Sequence, residues 1–131
     1  SEAAPQAAYQ VANTNKEEVL HDFEESMKNA GSTEDIIKGC HDMVGGSFQN
    51  KTPEQFLSWA QRQTFLALAN ALLGAKALGF DSCPMGGFNP EEFAKILSLP
   101  SNIMPTALCA IGYANDTPQA KVRLSKEKVF F

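Results

Sequence analysis

The chain has 131 residues, 44% of them hydrophobic, with 11 basic and 15 acidic residues that give a formal net charge of -4. This composition predicts one soluble globular domain and excludes general disorder, because a chain of this length can bury about two-thirds of its unfolded surface. The acidic balance argues against nucleic acid as the main partner, since neutralising phosphates requires a basic face.

The three cysteines, Cys40, Cys83 and Cys109, match neither a disulfide framework nor the close-set ligands of a zinc site. Reduced thiols in the cytoplasm are the simplest interpretation. The N-terminus lacks the basic start and apolar stretch of a signal peptide. The most apolar run, residues 65–75, falls far short of the roughly 20 residues that cross a bilayer. We therefore expect a cytoplasmic protein without a membrane span.

A strand and a helix are predicted at the start of the chain. Residues 7–12 can form a short strand. Thr14 and Glu17 fit a capping box, in which each side chain satisfies a backbone N–H at the helix start. Apolar residues at helical spacing then predict a helix over residues 16–30.

A second, shorter helix is expected next. Ser32 is its predicted N-cap, and the adjacent pair Gly45 and Gly46 is expected to end it. Residues 45–51 are then predicted to form a loop.

The best-marked element is a long helix that starts after Thr52 and runs to Gly79, about 39 Å. Pro53 occupies the first helical position and Gln55 completes a capping box with Thr52. Residues 65–75 are apolar around almost the whole circumference, so this half should be buried on all sides. Two interpretations remain open, a helix in a subunit interface and a central helix of the monomer core.

Four elements are predicted after the long helix. They are an extended piece leading into a tight glycine loop over residues 80–89, a helix over residues 91–97 capped by Asn89, a central strand over residues 107–114 covered on both faces, and an extended C-terminal arm that docks on another surface.

The loop of Pro84, Met85, Gly86 and Gly87 is the most unusual local feature of the sequence. Two adjacent glycines lack side-chain bulk, so their N–H groups can closely approach a flat or anionic ligand, while the proline stiffens the entry. A tight turn leading to a helix cap is the commoner explanation of such a sequence.

Lys121 and Arg123 lie two residues apart in the arm. In an extended segment their side chains point the same way and can close on one anion, with the arginine offering a bidentate fork. A solvated basic tail is the commoner explanation, and the glycine loop shifts the balance towards a phosphate site.

Other chemistry is not indicated. His21 and His41 lie on different predicted helices, no third ligand falls at metal spacing, and surface histidines are favoured. Cys83 has no histidine near it in sequence, so a small buried thiol is favoured over a nucleophile. We predict no metal site.

Residues 52–131 resemble the C-terminal part of the nitroreductase family of flavin-dependent oxidoreductases. The resemblance is carried by Gln63, Asn70 and the LLGAKALG segment of the long helix, the PMGGF loop, the AIGY strand end and the Lys-x-Arg of the tail. It implies an α+β, three-layer α/β/α fold with a mainly antiparallel central sheet, a long interface helix and a C-terminal arm reaching across the partner subunit. Residues 1–131 would form a single domain that lacks the family's usual N-terminal segment.

The resemblance also implies a cofactor and a reaction. FMN would lie at a homodimer interface, with Pro84, Met85, Gly86 and Gly87 against its ring system and Lys121 and Arg123 on its phosphate. NAD(P)H would give a hydride to flavin N5 and leave, and a nitroaromatic, quinone or similar acceptor would then be reduced. The protein would orient the flavin, so the resemblance implies no catalytic acid or base.

The family's phosphate-binding stretch from the N-terminal segment has no counterpart in this sequence, so an incomplete or non-catalytic dimerisation module is the alternative. Substrate selection is placed at residues 45–51, with Phe48.

Overall fold

The computed structural model describes residues 6–117 and 119–130, the first five of them by backbone alone. In chain order, the elements are β1 (Gln6–Asn13), α1 (Lys16–Asn29), α2 (Glu34–Gln49), α3 (Pro53–Ala77), β2 (Asp81–Met85), α4 (Pro90–Ile96), β3 (Ile103–Gly112) and a short 3-10 helix (Lys126–Lys128).

The three strands form one antiparallel sheet in the order β1-β3-β2. The predicted central strand is confirmed in its position, but it begins earlier than expected and includes Pro105. A register shift opposite Pro105, between Gln10 and Val11 of β1, marks a β-bulge. Bulges tolerate proline inside a sheet because the regular hydrogen-bond ladder is interrupted there.

Helix α3 packs against all three strands, and α4 packs against β3. The predicted capping box is confirmed, because Thr52 Oγ1 accepts from Gln55 N at 3.3 Å and Thr52 N donates to Gln55 Oε1 at 3.0 Å. Leu68 of α3 meets Ala107 and Cys109 of β3 in the core. One stripe of α3 therefore supplies the apolar cover of the sheet.

The opposite stripe of α3 is exposed. Phe65, Leu66 and Leu73 expose 52%, 64% and 72% of their surface. The central-core interpretation is therefore wrong for this stripe, although it holds for the stripe that faces the sheet. We refer to these three residues as the exposed stripe.

The start of α1 differs from the prediction in its cap. The side chain of Asn15 accepts hydrogen bonds from the N–H groups of Glu17 and Glu18, so Asn15 is the N-cap in place of Thr14. Thr14 Oγ1 instead donates to the carbonyl of Asn102 at 3.1 Å. The Thr14 hydroxyl, which the local pattern predicts as the helix cap, thus makes a long-range hydrogen bond instead.

Helix α2 continues through Gly45 and Gly46 to Gln49, so the predicted loop over residues 45–51 is wrong, and its N-cap is Thr33 rather than Ser32. The ring of Phe48 is buried, with its centroid 4.8 Å from that of Phe56 and 4.7 Å from that of Trp59. This packing stabilises the last turn of α2 against the low helix propensity of the glycine pair.

Candidate functional site

The predicted glycine loop continues directly from an edge of the described sheet. Pro84 and Met85 end β2, where they pair with Cys109 and Leu108 of β3, and both are exposed. The edge position permits the proline, since no ladder hydrogen bond from its nitrogen is required there. The start of the loop is thus held by the central strand.

The other end of the loop is held by α4. Asn89 Oδ1 accepts from Glu91 N at 3.0 Å and from Glu92 N at 3.2 Å, which confirms the predicted cap. The rings of Phe88 and Phe93 pack with centroids 5.4 Å apart. The loop therefore does lead into a helix cap, and it is anchored on both sides.

Nothing in the described part of the chain requires glycine, rather than a residue with a side chain, at positions 86 and 87. Neither Gly86 nor Gly87 has a positive φ, and a Cβ built on either would meet no atom within 4 Å. Both are exposed. The absence of side chains leaves an open backbone edge that a flat ring system could approach closely.

Lys121 and Arg123 lie in the arm, and both are exposed. Arg123 Nη1 donates to the carbonyl of Val122 at 2.8 Å, which leaves other guanidinium N–H groups available for an anion. Among the described residues, no ion pair engages either cation and no hydrogen bond joins them to the glycine loop. The N–H groups of these two cations are of the kind that bind a phosphate.

A carboxylate that the sequence analysis missed holds the point where the arm leaves the sheet. Asp81 Oδ2 accepts from Ala114 N at 3.2 Å, and Asp81 Oδ1 accepts from Lys76 Nζ at 3.1 Å. The rings of Phe80 and Tyr113 lie beside these contacts, with centroids 5.2 Å apart. We call these five residues the arm clasp. The contact of Asp81 with Ala114 cannot be read from the local sequence, because the pairing of β2 with β3 brings these two residues together.

The hydrogen bond from Lys76, followed by that from the Ala114 N–H, lowers the pKa of Asp81 from the ordinary value of 3.8. A carboxyl with a lowered folded-state pKa contributes stability above its unfolded pKa, and this is lost only as the pH falls through the folded value. The Asp81 carboxyl is therefore ionised at neutral pH and can accept both hydrogen bonds.

The remaining candidates are not assembled into a site. Cys83 is exposed, so the prediction of a small buried thiol is wrong there, whereas Cys109 is buried and its burial raises the pKa of the thiol. His21 is exposed, and His41 Nδ1 contacts Glu24 Oε1. Within residues 6–117 and 119–130, no group of three or more His, Cys, Asp or Glu could hold a metal ion.

One further expectation is corrected. The sequence predicts Phe48 at the substrate cleft, but its ring is 2% exposed and packs inside the aromatic cluster, so it is not available to a substrate. The described residues of the arm are all exposed on this chain, including Val122 and Leu124 at 88% and 70%, and the surface on which the arm docks stays a prediction. No helix in the described part of the chain is both long and apolar enough to traverse a membrane.

Comparison with known proteins relates this arrangement to a family. The nitroreductase family profile matches residues 3–113. YodC of Bacillus subtilis, provisionally named an NAD(P)H nitroreductase, is 33% identical over 119 residues, covering 90% of this chain and 56% of YodC. A Staphylococcus haemolyticus protein with the same provisional description is 38% identical over 85 residues, covering 61% of this chain and 39% of that protein. The chain thus spans from about two fifths to just over half the length of these relatives.

A solved structure has the same fold. The Exiguobacterium sibiricum protein, provisionally described as a nitroreductase and determined in complex with FMN, matches with a TM-score of 0.77 at 18% identity. The match covers 98% of this chain and 61% of that one. This likeness confirms the fold class that the sequence predicted.

Proposed function

Because the chain belongs to the nitroreductase family, we propose that it acts as an FMN-dependent NAD(P)H oxidoreductase that reduces nitroaromatics, quinones or similar acceptors. The observation that carries this proposal is the open backbone edge at Gly86 and Gly87, which no part of the described chain fills. The provisional names of the relatives and the FMN complex of the Exiguobacterium protein support it.

FMN, when bound, supplies the chemistry, because its N5 can accept a hydride from NAD(P)H and pass reducing equivalents to a second substrate. The chain's own residues bind and orient it. Pro84, Met85, Gly86 and Gly87 would lie against the ring system, with the N–H of Gly86 as a donor on that edge. Lys121 and Arg123 would bind the phosphate through charge-assisted hydrogen bonds.

The working unit in this proposal is a homodimer in the cytoplasm. The exposed stripe of α3 is a large apolar surface on a helix that already covers the sheet with its other side. The arm carries apolar residues that are half to largely exposed, which suits an arm reaching across a partner subunit. The three unpaired cysteines suit a reducing compartment.

The phosphate assignment is tested by comparing FMN with riboflavin, which has the same ring system and no phosphate. Replacing Arg123 with alanine should weaken FMN binding about 10- to 150-fold, because a charge-assisted contact contributes about 1.5 to 3 kcal/mol. Riboflavin affinity should not change. Fluorescence titration of both flavins measures the two dissociation constants.

The matched control is Lys128→Ala, which removes a cation from the same arm outside the Lys-x-Arg pair. It should leave both affinities within twofold of the unsubstituted chain. Equal losses for FMN and riboflavin in Arg123→Ala, or no loss for either, would remove the phosphate role. Absence of flavin binding in the unsubstituted chain would favour a non-catalytic dimerisation module.

A further inference from the structure

Helix α3 presents a row of exposed residues at the spacing of a paired helix. Gln63, Leu66, Asn70, Leu73 and Ala77 follow one another at alternating steps of three and four residues, and all five are exposed. This spacing places them along one side of the helix and is the spacing at which two helices pack along each other. We refer to these five residues as the seam.

The seam leaves room for the backbone of another helix. Ala67 and Gly74 lie beside Asn70, about one turn before and one turn after it, and both are exposed. A Cβ built on Gly74 would meet no atom within 4 Å. Small residues let helix axes approach closely, while Leu66 and Leu73 of the exposed stripe supply apolar surface for burial. The seam therefore suits close packing against a helix.

The surroundings of the seam suit a second copy of the same chain. Residues 63–75 contain no charged side chain, so two copies can meet there without the repulsion expected of chains with a net charge of -4. The accessible area of 10103 Å² exceeds that of a typical folded monomer of this mass by about 3,300 Å². Obligate homodimers bury about 2,000 Å² or more in total, so this excess is enough for one.

Asn70 is the polar residue at the centre of the seam. It lies between Leu66 and Leu73, and no residue in the described part of the chain hydrogen-bonds to its side chain. A side-chain amide carries both N–H donors and a carbonyl acceptor, so two amides that face each other satisfy one another. A two-fold axis brings a residue beside it against its own copy. Asn70 is therefore self-complementary, whereas burial against apolar groups would leave its amide unpaired.

We propose that α3 pairs with α3 of a second copy, and that the two-fold axis passes beside Asn70 so that the two Asn70 side chains hydrogen-bond to each other. The pair fixes which part of one helix meets the other, because a shift of either helix to Leu66 or Leu73 would place each amide against apolar surface. This inference rests on the homodimer of the proposed function and names the residue that sets its pairing.

A charge-swap experiment tests whether residue 70 faces its own copy. Asn70→Asp and Asn70→Lys should each weaken self-association of the full chain about 30-fold or more, measured by sedimentation, because like charges would meet at the axis. An equimolar mixture of the two variants should form dimers with an affinity within about fivefold of the unsubstituted chain, because opposite charges then face each other. Asn70 is exposed in the single chain, so both variants should fold.

The matched controls are Asn29→Asp and Asn29→Lys, since Asn29 is an exposed asparagine at the end of α1. Alone or mixed, they should leave self-association within about twofold of the unsubstituted chain, because exposed charges interact weakly. Recovery of dimers in the Asn70 mixture alone would support the pairing, since a general charge effect or misfolding would not be reversed by mixing. No loss in either single variant, or no recovery in the mixture, would overturn it.

The outcomes also separate this inference from the proposed function. If the unsubstituted chain is a monomer, the homodimer fails and the pairing at Asn70 fails with it, and a partner of another kind would have to cover the seam. If the unsubstituted chain dimerises and retains flavin while the charge swap gives no recovery, the proposed function stands and only the pairing at Asn70 is refuted.

Discussion

At the scale of single residues, Lys16 makes the most informative contact outside the site. Its Nζ donates to the carbonyls of Phe48 and Lys51 at 2.9 and 2.8 Å, and it lies 5.7 Å from the centre of the Phe56 ring. One cation from the start of α1 thus satisfies carbonyls at the end of α2 and beside the aromatic cluster. This contact helps α2 to continue past the glycine pair.

Replacing Lys16 with methionine should therefore lower the free energy of unfolding by about 1 to 3 kcal/mol, because partly buried carbonyls lose a charged donor. Urea denaturation measures the change. Lys28→Met is the matched control, since Lys28 is exposed and its side chain pairs with the exposed Glu25 one turn earlier, and it should shift stability by less than about 0.5 kcal/mol. Equal effects of the two substitutions would contradict the capping role.

Sequence patterns identified residues whose role depends on near neighbours. The caps at Thr52 and Asn89 were predictable because donor and acceptor lie within three residues of each other. The contacts of Lys16 with α2 and of Asp81 with Ala114 were not, since these partners lie more than 30 residues away and are defined only once α2 or the sheet has formed. The roles of the glycine loop and the arm cations stay predictions, which the flavin titrations test.

At the scale of elements, α2 shows why the glycine pair misled the prediction. Gly46 has helical backbone geometry and open space where a Cβ would lie, and a Cβ on Gly45 would be 3.5 Å from Leu20 Cδ1, an ordinary contact. Neither glycine ends the helix. Packing of Phe48 in the next turn outweighs their low propensity.

Gly46→Ala should consequently stabilise the chain by about 0.5 to 1 kcal/mol, because alanine loses less conformational freedom in a helix. Gly31→Ala provides the opposite control, since Gly31 has a φ of +79° after α1 and should cost about 1 to 2 kcal/mol as alanine. Thermal unfolding of both variants measures the difference. A loss of stability in Gly46→Ala would contradict a helical backbone at that position.

At the scale of the whole molecule, the chain exposes more surface than a self-contained protein of its size. Its accessible area is 10103 Å², whereas a folded monomer of 14.2 kDa exposes about 6,800 Å². This excess of accessible area includes the exposed stripe and the apolar residues of the arm. Both surfaces are therefore available for burial against another subunit. The sequence predicted the apolar helix but left two interpretations open, because composition does not reveal which stripe faces the sheet. That residues 1–131 form one domain stays a prediction.

The central claim is that two copies of this chain together hold FMN. The most direct test is a visible absorbance spectrum after incubation with excess FMN and removal of free flavin, with the mass in solution measured on the same sample. We expect flavin bands on a species of twice 14.2 kDa. Leu73→Glu, which places a charge on the exposed stripe, should abolish both the flavin bands and the dimer. Ile96→Glu, which alters a similarly exposed residue of α4, should abolish neither. A colourless monomer, or a flavin-bearing dimer that survives Leu73→Glu, would contradict the account.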